Sequence, residues 1–83
     1  MNKTTLTTKP GILYGVSNPI EQPGKMFKAW DGNTLLLILP LDKAFPDRTS
    51  TEDEEGGPGI EANLVFYSLQ TETDGTDLTV HWQ

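Results

Sequence analysis

Apolar and polar side chains alternate over much of the second half of the chain, and one continuous apolar run marks its middle. Residues 60–71 alternate between two predicted faces, one of which holds Leu64 and Phe66. The run at residues 35–39 is apolar throughout, which is typical of a strand buried on both faces or of a central strand of a small barrel. No window of the sequence repeats apolar residues at helical spacing over three turns. The pattern therefore predicts an all-β chain.

Two Asp-Gly dipeptides, each flanked by strand-like sequence, predict where the chain reverses. Asp31-Gly32 and Asp74-Gly75 suit type I′ turns, whose two central residues need a positive φ angle that Gly accepts freely and Asp tolerates. The second dipeptide lies between predicted strands near 60–71 and 77–82. The sequence thus predicts two antiparallel hairpins.

The length of 83 residues corresponds to a single domain. A further strand is predicted at 12–16, which brings the total to five or six antiparallel strands in a small barrel or sandwich. Residues 1–9 are predicted to be a flexible tail or an edge strand. Residues 41–59 are predicted to form a long acidic loop between the two hairpins.

The acidic charge is concentrated in one part of the sequence. The formal net charge is −6, yet residues 1–48 contain all six cations and only four acids, so residues 49–83 carry a net charge of −8. This distribution disfavours direct binding to nucleic acid, which depends on neutralising phosphates with Lys and Arg. It favours attraction to a basic protein surface. Loops longer than about 12–15 residues are usually functional or disordered, so the stretch 47–59 is interpreted either as a connector or as a recognition element.

Side chains suited to catalysis or metal binding are scarce. The chain has no cysteine and one histidine, His81, whose position on a predicted strand indicates a surface-facing imidazole. A serine triad would need Ser17, Ser50 or Ser68 near His81, and none of the three lies in a recognisable nucleophile motif. The acidic run at 52–55 lacks the alternate ligand spacing of an EF-hand. We therefore predict a protein that is not an enzyme and that has no cofactor and no metal.

The sequence also bears on where the protein resides. The amino terminus lacks the apolar run of a signal peptide. The longest apolar run, residues 35–39, is far shorter than the roughly 20 residues that span a bilayer. We expect a soluble cytoplasmic protein without a membrane partner.

The function predicted from the sequence is that of a noncatalytic protein-binding module. Such a module would be a small acidic inhibitor or adaptor of the bacterial or phage type, docking on a larger partner with a basic surface. Trp30, beside a tight turn, is expected to be partly exposed and to anchor the interface. The predicted partner-binding residues are Trp30, Asp47, Glu52, Asp53, Glu54 and Glu55.

Two other functions stay open. The first is a structural subunit of an oligomeric assembly, such as a phage virion component, built through β-edges and the apolar strand at 35–39, which also favours a homo-oligomer. The second is a small ligand-binding barrel with Trp30, Tyr67 and His81 around a pocket. The tetrapeptide at 29–32, Ala-Trp-Asp-Gly, resembles a stretch found in some bacteriophage capsid decoration proteins, which are small, β-rich and oligomeric. No residue role is transferred from that resemblance.

Overall fold

The computed structural model describes residues 2–48 and 63–83, which form strands and connecting turns but no helix. The all-β class is confirmed, although these residues form eight strands rather than five or six. No helix long and apolar enough to cross a membrane occurs in these ranges. The strands are β1 (Thr4–Thr7), β2 (Gly11–Asn18), β3 (Met26–Asp31), β4 (Thr34–Pro40), β5 (Phe45–Arg48), β6 (Leu64–Phe66), β7 (Leu69–Thr73) and β8 (Thr79–Trp82).

The strands form two antiparallel four-stranded sheets. The front sheet has the order β1-β7-β3-β4. The back sheet is built around β2, in which Leu13 pairs with Leu64 of β6 and with Trp82 of β8, so these two strands lie on opposite edges of β2. Val16 likewise pairs with both β5 and β8. Because each strand has only two edges, β5 and β6 share one edge of β2, and β8 occupies the other.

The two sheets pack against each other around one hydrophobic core. Phe27 of the front sheet and Phe66 of the back sheet are among the largest fully buried side chains. Burying a side chain of this size contributes about 1.5–3 kcal/mol. No pairing among the described strands joins the two sheets, so they do not close into a barrel. The buried core consists of Leu13, Val16, Phe27, Ala29, Leu37, Leu39, Leu41, Phe66 and Leu69.

The reversal between β3 and β4 has a different turn geometry from the one predicted. Asp31 pairs with Thr34, so the two central residues of the turn are Gly32 and Asn33 rather than Asp31 and Gly32. Gly32 has a φ of 61°, whereas Asn33 does not have a positive φ. Gly with positive φ at the first central position is typical of a type II′ turn. Asp31 is thereby left in the strand, where its carboxylate makes contacts elsewhere.

The hairpin predicted at Asp74-Gly75 is wrong. These residues link β7 of the front sheet to β8 of the back sheet. The single strand predicted over 60–71 is likewise divided, because a bend at residues 67–68 separates β6 from β7. Leu69 is fully buried, although simple alternation places it on the face opposite Phe66. The corner shifts the phase of alternation by one residue as the chain changes sheets.

The apolar run at 35–39 lies in β4, which is an edge strand of the front sheet and not the central strand predicted. Its burial alternates, since Leu37 and Leu39 face the core while Leu35 is 40% exposed. The register of β4 against β3 shifts between Ala29 and Trp30, which leaves Leu36 as an extra residue. Burial of both faces of the strand therefore does not explain why residues 35–39 are all apolar.

Candidate functional site

Trp30 is held in a defined orientation on the outer face of the front sheet. Its neighbour Ala29 is fully buried, and since side chains alternate along a strand, Trp30 points away from the core. The indole Nε1 donates a hydrogen bond of 2.8 Å to Oε1 of Glu72 on β7. The ammonium of Lys3 lies 3.9 Å from the ring centroid, a cation–π contact worth about 0.5–1 kcal/mol at an exposed site. We call Lys3, Trp30 and Glu72 the Trp30 cluster.

The turn beside the Trp30 cluster is attached to the same side chains. Lys3 Nζ also donates to the carbonyl oxygen of Gly32 over 3.0 Å. The amide of Gly32 donates over 2.7 Å to Oε1 of Gln70, which pairs with Trp30 across the sheet. The turn and the indole are therefore positioned together by β1 and β7.

The Trp30 cluster borders a strip of apolar side chains on the same face. Leu35 pairs with Trp30 across the β3–β4 hairpin and is 40% exposed. Ile38 pairs with Lys28 and is half-buried. Apolar area thus lies on the β4 side of Trp30, and charged groups lie on the β7 and β1 side. An aromatic anchor between apolar and polar surroundings is typical of protein–protein interfaces.

Asp31 connects this surface to the corner between the two sheets. Its carboxylate accepts hydrogen bonds from the amides of Tyr67 at 2.9 Å and Ser68 at 3.1 Å, and from the Ser68 hydroxyl at 3.2 Å. The Tyr67 amide, followed by the two Ser68 donors, lowers the pKa of Asp31 below its ordinary value, because these donors stabilise the ionised form. The strand end next to Trp30 is thereby fixed to the segment that crosses between sheets.

A buried polar network fixes the loops that precede β3 and follow β7. The side-chain nitrogen Nε2 of Gln22 donates to Oδ1 of Asn18 at 2.9 Å and to the carbonyl oxygen of Thr76 at 2.8 Å. The Thr76 amide donates back to Oε1 of Gln22 at 2.8 Å. Nδ2 of Asn18 donates to the carbonyl oxygens of Leu41 and Lys43. This network satisfies buried polar groups, and we assign it a structural role.

Ser17 and His81 form a second outward-facing pair, on the back sheet. The Ser17 hydroxyl lies 3.1 Å from Nε2 of His81, which is the reach required of a nucleophile and its base. His81 is exposed, as the alternation predicts, and Val80 beside it packs toward the core. Sequence reasoning did not foresee this contact, because the residues lie 64 positions apart and belong to no motif.

The structure does not bring Trp30 and His81 together. Trp30 lies on the outer face of the front sheet and His81 on the outer face of the back sheet, with the core between them. The prediction of one pocket lined by both residues is therefore wrong. Tyr67, the third residue of that prediction, is 76% exposed at the corner between the sheets.

Of the predicted acidic residues, only Asp47 lies among the residues that the structure describes. Asp47 belongs to β5, a strand inside the segment 41–59 that the sequence indicated as one loop. Among the described residues, no group of three or more His, Asp or Glu side chains is arranged to hold a metal ion. Glu52, Asp53, Glu54 and Glu55 lie outside the described residues.

Comparisons with known protein families, with curated proteins and with solved structures find no match to this chain. The candidate site is therefore defined by its own geometry. The sequence led to Trp30 as a candidate but did not predict its contacts with Lys3 and Glu72. Glu72 lies just beyond the strand predicted over 60–71, so alternation assigned it no face, and the pairing of β7 with β3 was not predictable from the sequence.

Proposed function

We propose that this protein is a noncatalytic protein-binding module that contacts a larger partner through the Trp30 cluster. The observation that supports this most directly is that Trp30 is fixed by Glu72 and Lys3 while it stays outside the core. An aromatic side chain whose orientation is already set loses little conformational entropy on binding. Trp is also the residue type most enriched among side chains that dominate interface energies.

The charge distribution supports a partner with a basic surface. The segment 47–59 contains five acids and residues 49–83 carry a net charge of −8. Such a field accelerates association with a cationic protein and is weakened by salt, because the Debye length shrinks as ionic strength rises. A small acidic inhibitor or adaptor of bacterial or phage type fits this combination. In this proposal the acidic residues Asp47, Glu52, Asp53, Glu54 and Glu55 accelerate the encounter, and Trp30 anchors the complex.

The test is capture of the partner from an extract of the source organism by the immobilised protein, quantified by mass spectrometry. Replacing Trp30 with Ala should reduce the affinity for the captured partner by a factor of about 30 or more, which corresponds to about 2 kcal/mol. Tyr14→Ala is the matched control, because Tyr14 is an aromatic residue with 41% exposure on the back sheet. Equal capture by wild type and Trp30→Ala would reject the proposed anchor.

The contribution of charge is tested separately in the same assay. Neutralising Glu52, Asp53, Glu54 and Glu55 to the corresponding amides should slow association and remove most of its dependence on salt. The Trp30→Ala variant should instead accelerate dissociation and keep the salt dependence. An association rate that is unchanged by neutralisation would eliminate the role of the acidic segment.

The second candidate function is a structural subunit of an oligomeric assembly, such as a phage virion component. The observation that favours it is the apolar edge strand β4, which has no neighbour on one side within the described residues. Light scattering distinguishes the two functions. An assembly subunit should form particles that keep growing beyond a dimer as concentration rises, whereas a binding module should grow no further than a dimer without its partner.

A further inference from the structure

The outer edge of β4 is suited to pairing with another strand. Among the described residues, β4 is bonded only to β3. Residues 33–41 contain no charged side chain, although charged residues are a common protection of exposed edges. The opposite edge of the front sheet, β1, is flanked by Lys3 and Lys9 and has an irregular register. The two edges therefore differ in how well they are protected.

The hydrogen bonds at the start of β3 indicate which backbone groups point outward. The Met26 amide donates to the carboxylate of Asp74, and the Met26 carbonyl accepts from the hydroxyl of Thr73. Both partners lie on the β7 side, so the backbone of Met26 faces β7. Since these groups alternate in direction along a strand, the backbone of Phe27 faces β4.

The same alternation then fixes the orientation of β4. Phe27 pairs with Leu39, so the amide and carbonyl of Leu39 face β3. The amide and carbonyl of Ile38 therefore point away from β3, toward the outer edge of the sheet. Pro40 is the next residue whose backbone groups face outward. Because proline has no amide hydrogen, it leaves no unpaired donor at that position. A bulge at Leu36 and this proline limit the free edge to a short segment around Ile38.

We propose that two copies of the chain pair through β4 in antiparallel orientation, with the two-fold axis at Ile38. In this register the amide of each Ile38 donates to the carbonyl of Ile38 in the second copy, which gives two reciprocal hydrogen bonds. The result is a continuous eight-stranded sheet. Because the axis is perpendicular to the sheet, the Trp30 clusters of both copies face the same side.

The charges favour β4 over other surfaces as the contact between two copies. Each chain has a net charge of −6, so most surfaces of two copies repel each other. Contact along β4 brings only uncharged residues together. The segment is also self-complementary, since an antiparallel pair about Ile38 places apolar residues opposite apolar residues. Pairing of β4 with β1 of another copy would instead be head-to-tail and would propagate into a polymer.

The absence of cysteine from the chain allows a direct test. Residues in a hydrogen-bonded antiparallel pair have Cα atoms about 5.5 Å apart, which lies within the range that a disulfide spans. Purified Ile38→Cys, oxidised with copper phenanthroline at low protein concentration, should form a covalent dimer at least tenfold faster than Val65→Cys. Val65 is the matched control because it is an apolar strand residue, 68% exposed, on the back sheet.

Sedimentation velocity on purified protein without any partner provides the second measurement. Wild type should shift from monomer to dimer as concentration rises, Ile38→Lys should remain monomeric, and Val65→Lys should behave as wild type. If Ile38→Lys does not fold, the smaller and uncharged Ile38→Cys variant still decides the question. The proposal is overturned by a strictly monomeric wild type, by equal cross-linking of the two cysteine variants, or by open-ended polymers. The inference does not depend on the proposed binding function, because neither measurement involves a partner.

Discussion

Replacing Gln22 with Ala tests how the loops at the start of β3 are stabilised. Gln22 is 9% exposed, and its side chain makes hydrogen bonds of 2.8–2.9 Å with Asn18 and with both backbone groups of Thr76. Truncation leaves the buried Oδ1 of Asn18 without this donor, at a cost of about 1–3 kcal/mol. The Thr76 groups are only partly buried and regain water, so each costs less. We expect a total loss of about 2–4 kcal/mol.

Urea denaturation followed by tryptophan fluorescence measures this loss. Small domains have unfolding free energies of about 5–15 kcal/mol, so the expected loss of stability should clearly lower the urea concentration at the midpoint of unfolding. In a thermal melt the loss corresponds to a decrease in Tm of roughly 8 °C or more, at about 4–8 °C per kcal/mol for a chain of this size. Glu21→Ala, an exposed neighbour, should stay within about 0.5 kcal/mol of wild type. A Gln22→Ala variant that cannot be distinguished from Glu21→Ala would refute the reasoning.

Two further predictions concern single positions. The lowered pKa of Asp31 means that its ionised form adds stability above the ordinary value of 3.8, and that this stability is lost as pH falls through the lower folded-state value. Asp31→Asn should therefore be less stable than wild type in urea at pH 7, with a difference that narrows below about pH 4; a constant difference would contradict this. A Cβ added at Gly11 meets the backbone carbonyl of Gln83 and the ring of Phe66, so Gly11→Ala should destabilise by about 1–3 kcal/mol. Gly24→Ala, at a positive φ and with nothing within 4 Å of the added Cβ, measures backbone strain without crowding; a Gly11→Ala variant as stable as wild type would contradict the predicted crowding at Gly11.

Local patterns predicted the all-β class correctly, but they predicted neither the number of strands nor most of the strand pairings. Alternation identified the inward-facing Phe66, yet the same periodicity appears in a continuous strand and in two strands that change sheets. The deciding feature is the corner at Ser68, where one residue shifts the phase and the carboxylate of Asp31 supplies the hydrogen bonds. That carboxylate lies 37 positions away in the sequence, so no local window contains the information.

The edge position of β4 was unpredictable for a related reason. A run without polar residues is typical of burial on both faces, and residues 35–39 fit that description. An edge strand can have the same composition if its exposed side chains serve another contact. Only the pairing of the other strands with β3 shows that β3, rather than β4, is interior to the sheet. The Trp30 cluster was likewise not predictable from a local stretch of sequence, because Lys3 and Glu72 reach the indole from distant parts of the chain.

The proposed dimer would strengthen partner binding through the Trp30 clusters. Pairing about Ile38 extends the front sheet in its own plane. The two Trp30 clusters then lie on the same side of the dimer at a fixed separation, where one partner surface can contact both. A partner with two equivalent sites then binds the second cluster as an intramolecular step, and the apparent affinity rises without any new contact. The short pairing segment between Leu36 and Pro40 implies a modest self-association, which a divalent partner would shift toward the dimer by mass action. Dimer formation would in that case be greatest in the presence of the partner.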